Sequence, residues 1–132
     1  MFSSVTIALS LIISIGHFSS CSKGAVVDKL VAKTAVEANK LCPMAIDSET
    51  RLDSITHPAK YTLGYFFTLL NMEKDSLTLD LEVLENNLVQ SIKAPNKELE
   101  LLRKSNVFFR YVYFDKNGDL AFKIEITPEM YN

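Results

Sequence analysis

Near the C-terminus two short runs bracket a turn: VFFRYVYF at residues 107 to 114, DKNGD at 115 to 119, and LAFKIEIT at 120 to 127. The Asn117-Gly118 pair suits positive φ, and such a pair between two β-prone runs is the strongest short-range hairpin signal a sequence offers. In the second run Leu120, Phe122, Ile124 and Ile126 alternate with Ala121, Lys123 and Glu125. One face of the hairpin is therefore apolar and the other solvated, as in an antiparallel sheet covered on one side. The rest of the chain has to supply that cover.

Two segments have the period to do so. Residues 25 to 41, AVVDKLVAKTAVEANKL, set Val27, Leu30, Val31, Thr34, Ala38 and Leu41 at helical spacing, and Pro43 ends the helix at Cys42. Leu77, Leu81, Leu84, Leu88 and Ile92 form a second stripe, predicting a helix from Thr78 to Lys93. A short helix over Lys97 to Lys104 follows, bringing Leu99, Leu101 and Leu102 to the core. Between the first two helices, TRLDSIT (50 to 56) places Leu52 and Ser54 on one side and Arg51, Asp53 and Ile55 on the other. His57-Pro58-Ala59-Lys60 reads as a turn, and YTLGYFFTLL (61 to 70) as the returning strand. The order is α-β-β-α-α-β-β, an α+β domain with a four-stranded antiparallel sheet and helices packed on one face.

The N-terminal 20 residues stand apart. Val5 to Ile15 is an apolar run the length of a secretory h-region, short of the roughly 20 residues needed to span a bilayer. The chain thus divides into an export signal of lipoprotein type, 1–20, and one domain, 21–132. The motif FSSC resembles a bacterial lipobox, which implies acylation of Cys21, a lipid anchor in the membrane, and, with Ser22 following, retention at the outer membrane facing the periplasm. If Cys21 is acylated, Cys42 is the one remaining thiol; if not, a Cys21–Cys42 bridge is open. Cys42 also reads as a small buried apolar side chain.

Charge and motif content exclude several functions. All 14 basic and 16 acidic residues lie after the signal, so no excess of positive charge marks a nucleic-acid partner. His57 is the sole imidazole outside the signal and there is one thiol near it, too few ligands for zinc; DKNGD lacks the length and closing Glu of a calcium loop. No metal and no cofactor is expected. For catalysis the candidates are a Cys42–His57 pair or the Asp47 and Asp53 carboxylates, and no glycine-rich phosphate or oxyanion loop accompanies them.

The densest polar stretch is CPMAIDSETRLDS, residues 42 to 54. Asp47, Ser48 and Thr50 suit a turn that bonds its own backbone. Arg51 and Asp53 are two apart, on one face of a strand, so Arg51 is expected to tie the Asp47 corner to the sheet. The functional alternative makes Asp47, Thr50, Arg51 and Asp53 a binding patch beside Tyr65 and Phe67.

NKLCPMAIDSETRLDS, YTLGYFFTLL and RKSNVFFRYVYFDKNGDLAFKIEITPE together resemble a family of small exported proteins of Gram-negative bacteria. Its marks are a Pro, an Asp-x-x-Thr-Arg-Leu-Asp signature, a Tyr-x-Tyr strand, an Asp-Lys-x-Gly turn and a Thr-Pro. They fall here on Pro43, Asp47, Thr50 to Asp53, Tyr111 and Tyr113, Asp115 to Gly118, and Thr127-Pro128. The resemblance implies compartment and fold and carries no reaction. The expectation is an envelope lipoprotein with a non-catalytic role, binding an envelope protein or a small ligand. An enzyme and a structural accessory of a membrane assembly are the alternatives.

Overall fold

A computed structural model describes residues 23–132. The export signal and Cys21, with its acylation or bridging, lie outside the described residues. Helix α1 covers 23–39. It is followed by β1 (Met44–Ala45), β2 (Thr50–Ala59), β3 (Thr62–Leu69), a single 3-10 turn at Lys74–Ser76, α2 (Leu81–Ile92), α3 (Lys97–Lys104), β4 (Phe108–Phe114), β5 (Leu120–Ile126) and α4 (Pro128–Tyr131).

The sheet has five strands in the order β1-β2-β3-β4-β5, so the expected four-stranded antiparallel sheet is corrected twice. First, the chain before β2 adds a two-residue edge strand, with Met44 opposite Leu52 and Ala45 opposite Arg51. Second, β3 and β4 pair in parallel, from Thr62 with Phe108 to Thr68 with Phe114. The cause lies in the connection. Two helices between β3 and β4 form a crossover that carries the chain back to the end where β3 began, and only such a crossover allows parallel pairing. The two hairpins, β2–β3 and β4–β5, are antiparallel as expected.

The strand from Thr50 runs further than its sequence suggests. His57 to Ala59 stay in β2, with a register irregularity between Thr56 and Ala59, and the turn falls at Lys60 and Tyr61. Proline is admitted in strands at bulges and free edges. Here its ring lies so close over Gly64 that a Cβ there would sit 2.9 Å from Pro58 Cγ. Tyr61 takes φ 56°, and its N–H donates to Asp28 Oδ1 of α1 at 2.8 Å. A second irregularity, between Leu52 and Ser54, makes Asp53 an extra residue opposite Phe66 and Phe67. A bulge resets the alternation. Leu52 and Ile55 are consequently both buried, where strict alternation predicts opposite faces.

All four helices cover the same face. Val31 and Ala35 of α1, Val89 and Ile92 of α2, Leu102 of α3 and Tyr131 of α4 join Leu63, Phe109, Tyr111, Ile124 and Ile126 in one core. Leu101 and Leu41, expected in the core, are exposed. Helix α2 starts later than its apolar stripe because Asp80 caps it, accepting the N–H groups of Glu82 at 3.1 Å and Val83 at 3.3 Å. At its other end the Arg103 guanidinium of α3 donates to the carbonyls of Ile92 and Ala94, satisfying the open C-terminal turn. The opposite face of the sheet mixes charged residues with Phe66 and the buried Val112; on it Arg110 Nη2 lies 3.0 Å from Glu125 Oε1.

Candidate functional site

On the helix-covered face, aromatic residues of three strands stack across the sheet. Tyr65 and Tyr111 have ring centroids 4.9 Å apart, Phe67 and Tyr113 4.5 Å, and Tyr113 and Phe122 4.5 Å, all within 20° of parallel. Alternation on β3, β4 and β5 brings these rings to one side, and the pairing of Phe67 with Tyr113 and Tyr113 with Phe122 sets them opposite one another. Burial pushes the Tyr113 phenol up to about 12. Burial, and then the charge of Glu98, raise Tyr65 to about 12 as well. The stack is neutral throughout the physiological range.

At one end the stack is nearly covered but not sealed, with Phe67 8% and Tyr113 7% exposed and Phe122 more open. There Phe67, Tyr113 and Phe122 floor a groove of about 330 Å³, walled by Leu69, Met72, Leu79 and Leu84 and bounded by Ile46, Asp47, Glu49 and Thr50 of the β1–β2 turn. Met72 and Leu79 also line an adjoining hollow with Glu73 and Lys116. On the rim the apolar Ile46 is 49% exposed and Leu79 43%, beside the acidic Asp47 and Glu49.

The turns around the groove are held by carboxylates. Asp47 Oδ1 accepts the Glu49 N–H at 2.8 Å. Asp115, 1% exposed, accepts the N–H groups of Asn117 (2.9 Å), Asp119 (3.0 Å) and, from the 3-10 turn, Lys74 (3.0 Å). Burial alone would raise its pKa. The backbone donors from Lys74, Asp119 and Asn117, with the Lys74 charge, outweigh burial and hold the carboxyl below the usual aspartate value. Those same bonds, with Lys116 N–H to Met72 O at 2.9 Å, staple the β4–β5 turn to the segment carrying Met72. The Asp115 carboxylate is thereby spent on backbone donors. In that turn only Gly118 takes positive φ, at 83°.

The predicted site residues separate. Asp47 and Thr50 border the groove, whereas Arg51 and Asp53 lie on the opposite face. Arg51 Nε is 2.5 Å from Asp53 Oδ1, and the Thr68 hydroxyl donates to Asp53 Oδ2 at 2.5 Å. Arg51 thus pairs with Asp53 and not with the Asp47 corner, and its side chain is 45% exposed. Tyr65 and Phe67, expected beside it, face the helices. Nor do Cys42 and His57 meet. His57 Nδ1 lies 2.9 Å from Thr62 O and Nε2 3.4 Å from Asp28 Oδ1, while Cys42 is half-buried against the core. Burial, and then the charge of Asp53, push its thiol above the ordinary value, away from the thiolate a nucleophile requires. Among the described residues no group of three His, Cys, Asp or Glu side chains could hold a metal, and no helix is long and apolar enough to cross a membrane.

A family described as a domain of unknown function, DUF8479, matches residues 26–122, from the first turns of α1 into β5. This chain belongs to the DUF8479 family. The match encloses every residue that lines the groove. Three solved structures share the fold. A candidate secreted protein from Pseudomonas aeruginosa aligns with a TM-score of 0.72 at 14% identity, over 83% of this chain and 96% of that one. The pilotin EpsS of the Vibrio vulnificus type II secretion system gives 0.67 at 11%, over 84% and 96%. The type II secretion pilotin AspS from Vibrio cholerae gives 0.65 at 16%, over 85% and 98%. At such identities the likeness is one of fold. No curated protein matches this DUF8479 chain by sequence.

Sequence reasoning missed the groove itself. Its signal was present as aromatic residues at alternate positions of three strands, Phe67, Tyr113 and Phe122, but their meeting depends on a seam between β3 and β4 that no local pattern encodes.

Proposed function

We propose that this protein is an exported accessory of the bacterial envelope that holds a segment of another envelope protein in the groove over Phe67, Tyr113 and Phe122. The observation that carries this reading is the groove's make-up: an aromatic floor of Phe67, Tyr113 and Phe122 edged by the exposed Ile46 and Leu79. A concave apolar surface of this kind, edged by exposed apolar side chains, marks a place of association. A groove open along its rim suits a length of chain, as in helix-in-groove recognition, better than an enclosed small molecule. The fold shared with two type II secretion pilotins supports a role beside a secretion assembly. The resemblance of residues 39 to 129 to small exported Gram-negative proteins supports the compartment. The FSSC motif supports anchoring through acylated Cys21 at the outer membrane, with the domain in the periplasm. A catalytic reading lacks a nucleophile beside a base, and Asp47 and Asp53 sit on different faces.

The reading is tested by placing a photo-crosslinking residue at Leu79 in the exported protein in its native host, with the exposed Lys123 on the opposite face of the sheet as the control position. The expected result is a discrete protein adduct from position 79 in the membrane fraction and none from 123. Equal labelling from both positions, or none from either, overturns it.

A further inference from the structure

The apolar floor of the groove does not discriminate among segments, but its surroundings carry a strong charge. The stretches 45–50, 71–82 and 115–120, which form and border the groove, contain eight acidic residues and two lysines, a net charge of −6. The remainder of the chain has eight acidic and twelve basic residues and is +4. The two lysines are already engaged: Lys74 Nζ lies 3.9 Å from Asp119 Oδ2 and Lys116 Nζ 3.2 Å from Glu73 Oε1. Asp47 and Glu49, both lining the groove, form no ion pair among the described residues, nor does Glu82 beside Leu81 and Val83.

We infer that the groove selects an amphipathic segment whose apolar side meets Phe67, Tyr113 and Phe122 and whose other side carries lysine or arginine toward Asp47 and Glu49. The inference rests on the groove reading above and adds the partner's charge. Like charge placed against such a rim is disfavoured and opposite charge steers encounter, so the rim sets which apolar segments enter. One competing occupant exists on the molecule: the outer side of α1 exposes Val26 and Val36 near Lys29 and Lys33. A second copy docking through α1 would make a heterologous, head-to-tail contact.

The test uses the purified protein and three synthetic fourteen-residue peptides with the same leucine and alanine positions, their polar positions filled by lysine, glutamine or glutamate. Affinity is read by fluorescence anisotropy at low and high salt. The lysine peptide is expected to bind about tenfold tighter than the glutamine one, the glutamate one weakest, and the lysine advantage to shrink with salt, as for exposed charges screened within about 10 Å. In the double variant Asp47→Asn, Glu49→Gln the lysine and glutamine peptides should bind alike. Three peptides binding equally, with no salt dependence, overturn the charge inference and leave the groove reading intact. No binding by any peptide overturns both. A lysine preference that survives the double variant places the cation elsewhere, and self-association that rises with protein concentration and blocks the peptides assigns the groove to α1 of a second copy; either result overturns the inference.

Discussion

Tyr113 sits at the centre of both the core and the groove, and replacing it separates ring stacking from simple burial. Its ring has neighbours on two sides at 4.5 Å, Phe67 and Phe122, and the side chain is buried. Tyr113→Leu keeps an apolar side chain of comparable burial but forfeits both stacks. At about 0.5–1.5 kcal/mol for each aromatic pair, the loss is about 1–3 kcal/mol. Tyr113→Phe keeps the ring in place and should cost a small fraction of that. Against a total stability of about 5–15 kcal/mol for a domain of this size, the leucine variant remains folded. Urea unfolding followed by far-UV circular dichroism is the assay. With a slope of about 1–3 kcal/mol per molar, the leucine variant's midpoint falls by about 1 M at unchanged slope, while the phenylalanine variant stays close to wild type. If leucine and phenylalanine shift the midpoint equally, the stacked geometry contributes nothing beyond buried area and the reasoning is refuted.

Arg51→Ala removes one partner of a pair whose members are 45% and 29% exposed, so the expected loss is below about 1 kcal/mol, the range of exposed ion pairs. A loss above about 2 kcal/mol in the same urea assay contradicts that, since it belongs to buried pairs. Asp115 gives a pH signature. Its carboxyl is held below the ordinary aspartate value of about 3.9, so its contribution is complete above that pH and is lost as pH falls through the lowered folded-state value. Asp115→Asn should therefore melt at a lower temperature than wild type by a constant gap from about pH 5 to 7, and the gap should narrow from there toward pH 2. A gap that stays constant down to pH 2 sinks this account.

Local chemistry made much of this architecture readable. The Asn117-Gly118 turn and its flanking runs became β4 and β5, and the short helix at Lys97–Lys104 has the expected limits because Asn96 caps it, its side chain accepting the Leu99 N–H at 3.0 Å. What escaped was non-local. Nothing near Thr62 or Phe108 announces that they pair, because their register is set by the path of two intervening helices. The bulge at Asp53 escaped because a one-residue insertion leaves composition unchanged while moving every later side chain to the other face. The polar stretch at 42 to 54 drew attention through its charges. Half of it, Asp47 and Thr50, borders the groove; the other half, Arg51 and Asp53, serves the far face. Turn-forming and partner-facing acids look alike in a sequence, and only the direction of the strand tells them apart.

The parallel seam between β3 and β4 has a consequence in time. Each hairpin can close on its own, within microseconds for a local turn, whereas joining them requires the long crossover to be threaded and its loop entropy to be met first. The groove straddles that seam, taking Phe67 from the first hairpin and Tyr113 and Phe122 from the second. Until the halves meet there is no floor for anything to rest on. A partner that binds here engages only the finished molecule, and by withdrawing finished molecules from the folding equilibrium it stabilises them.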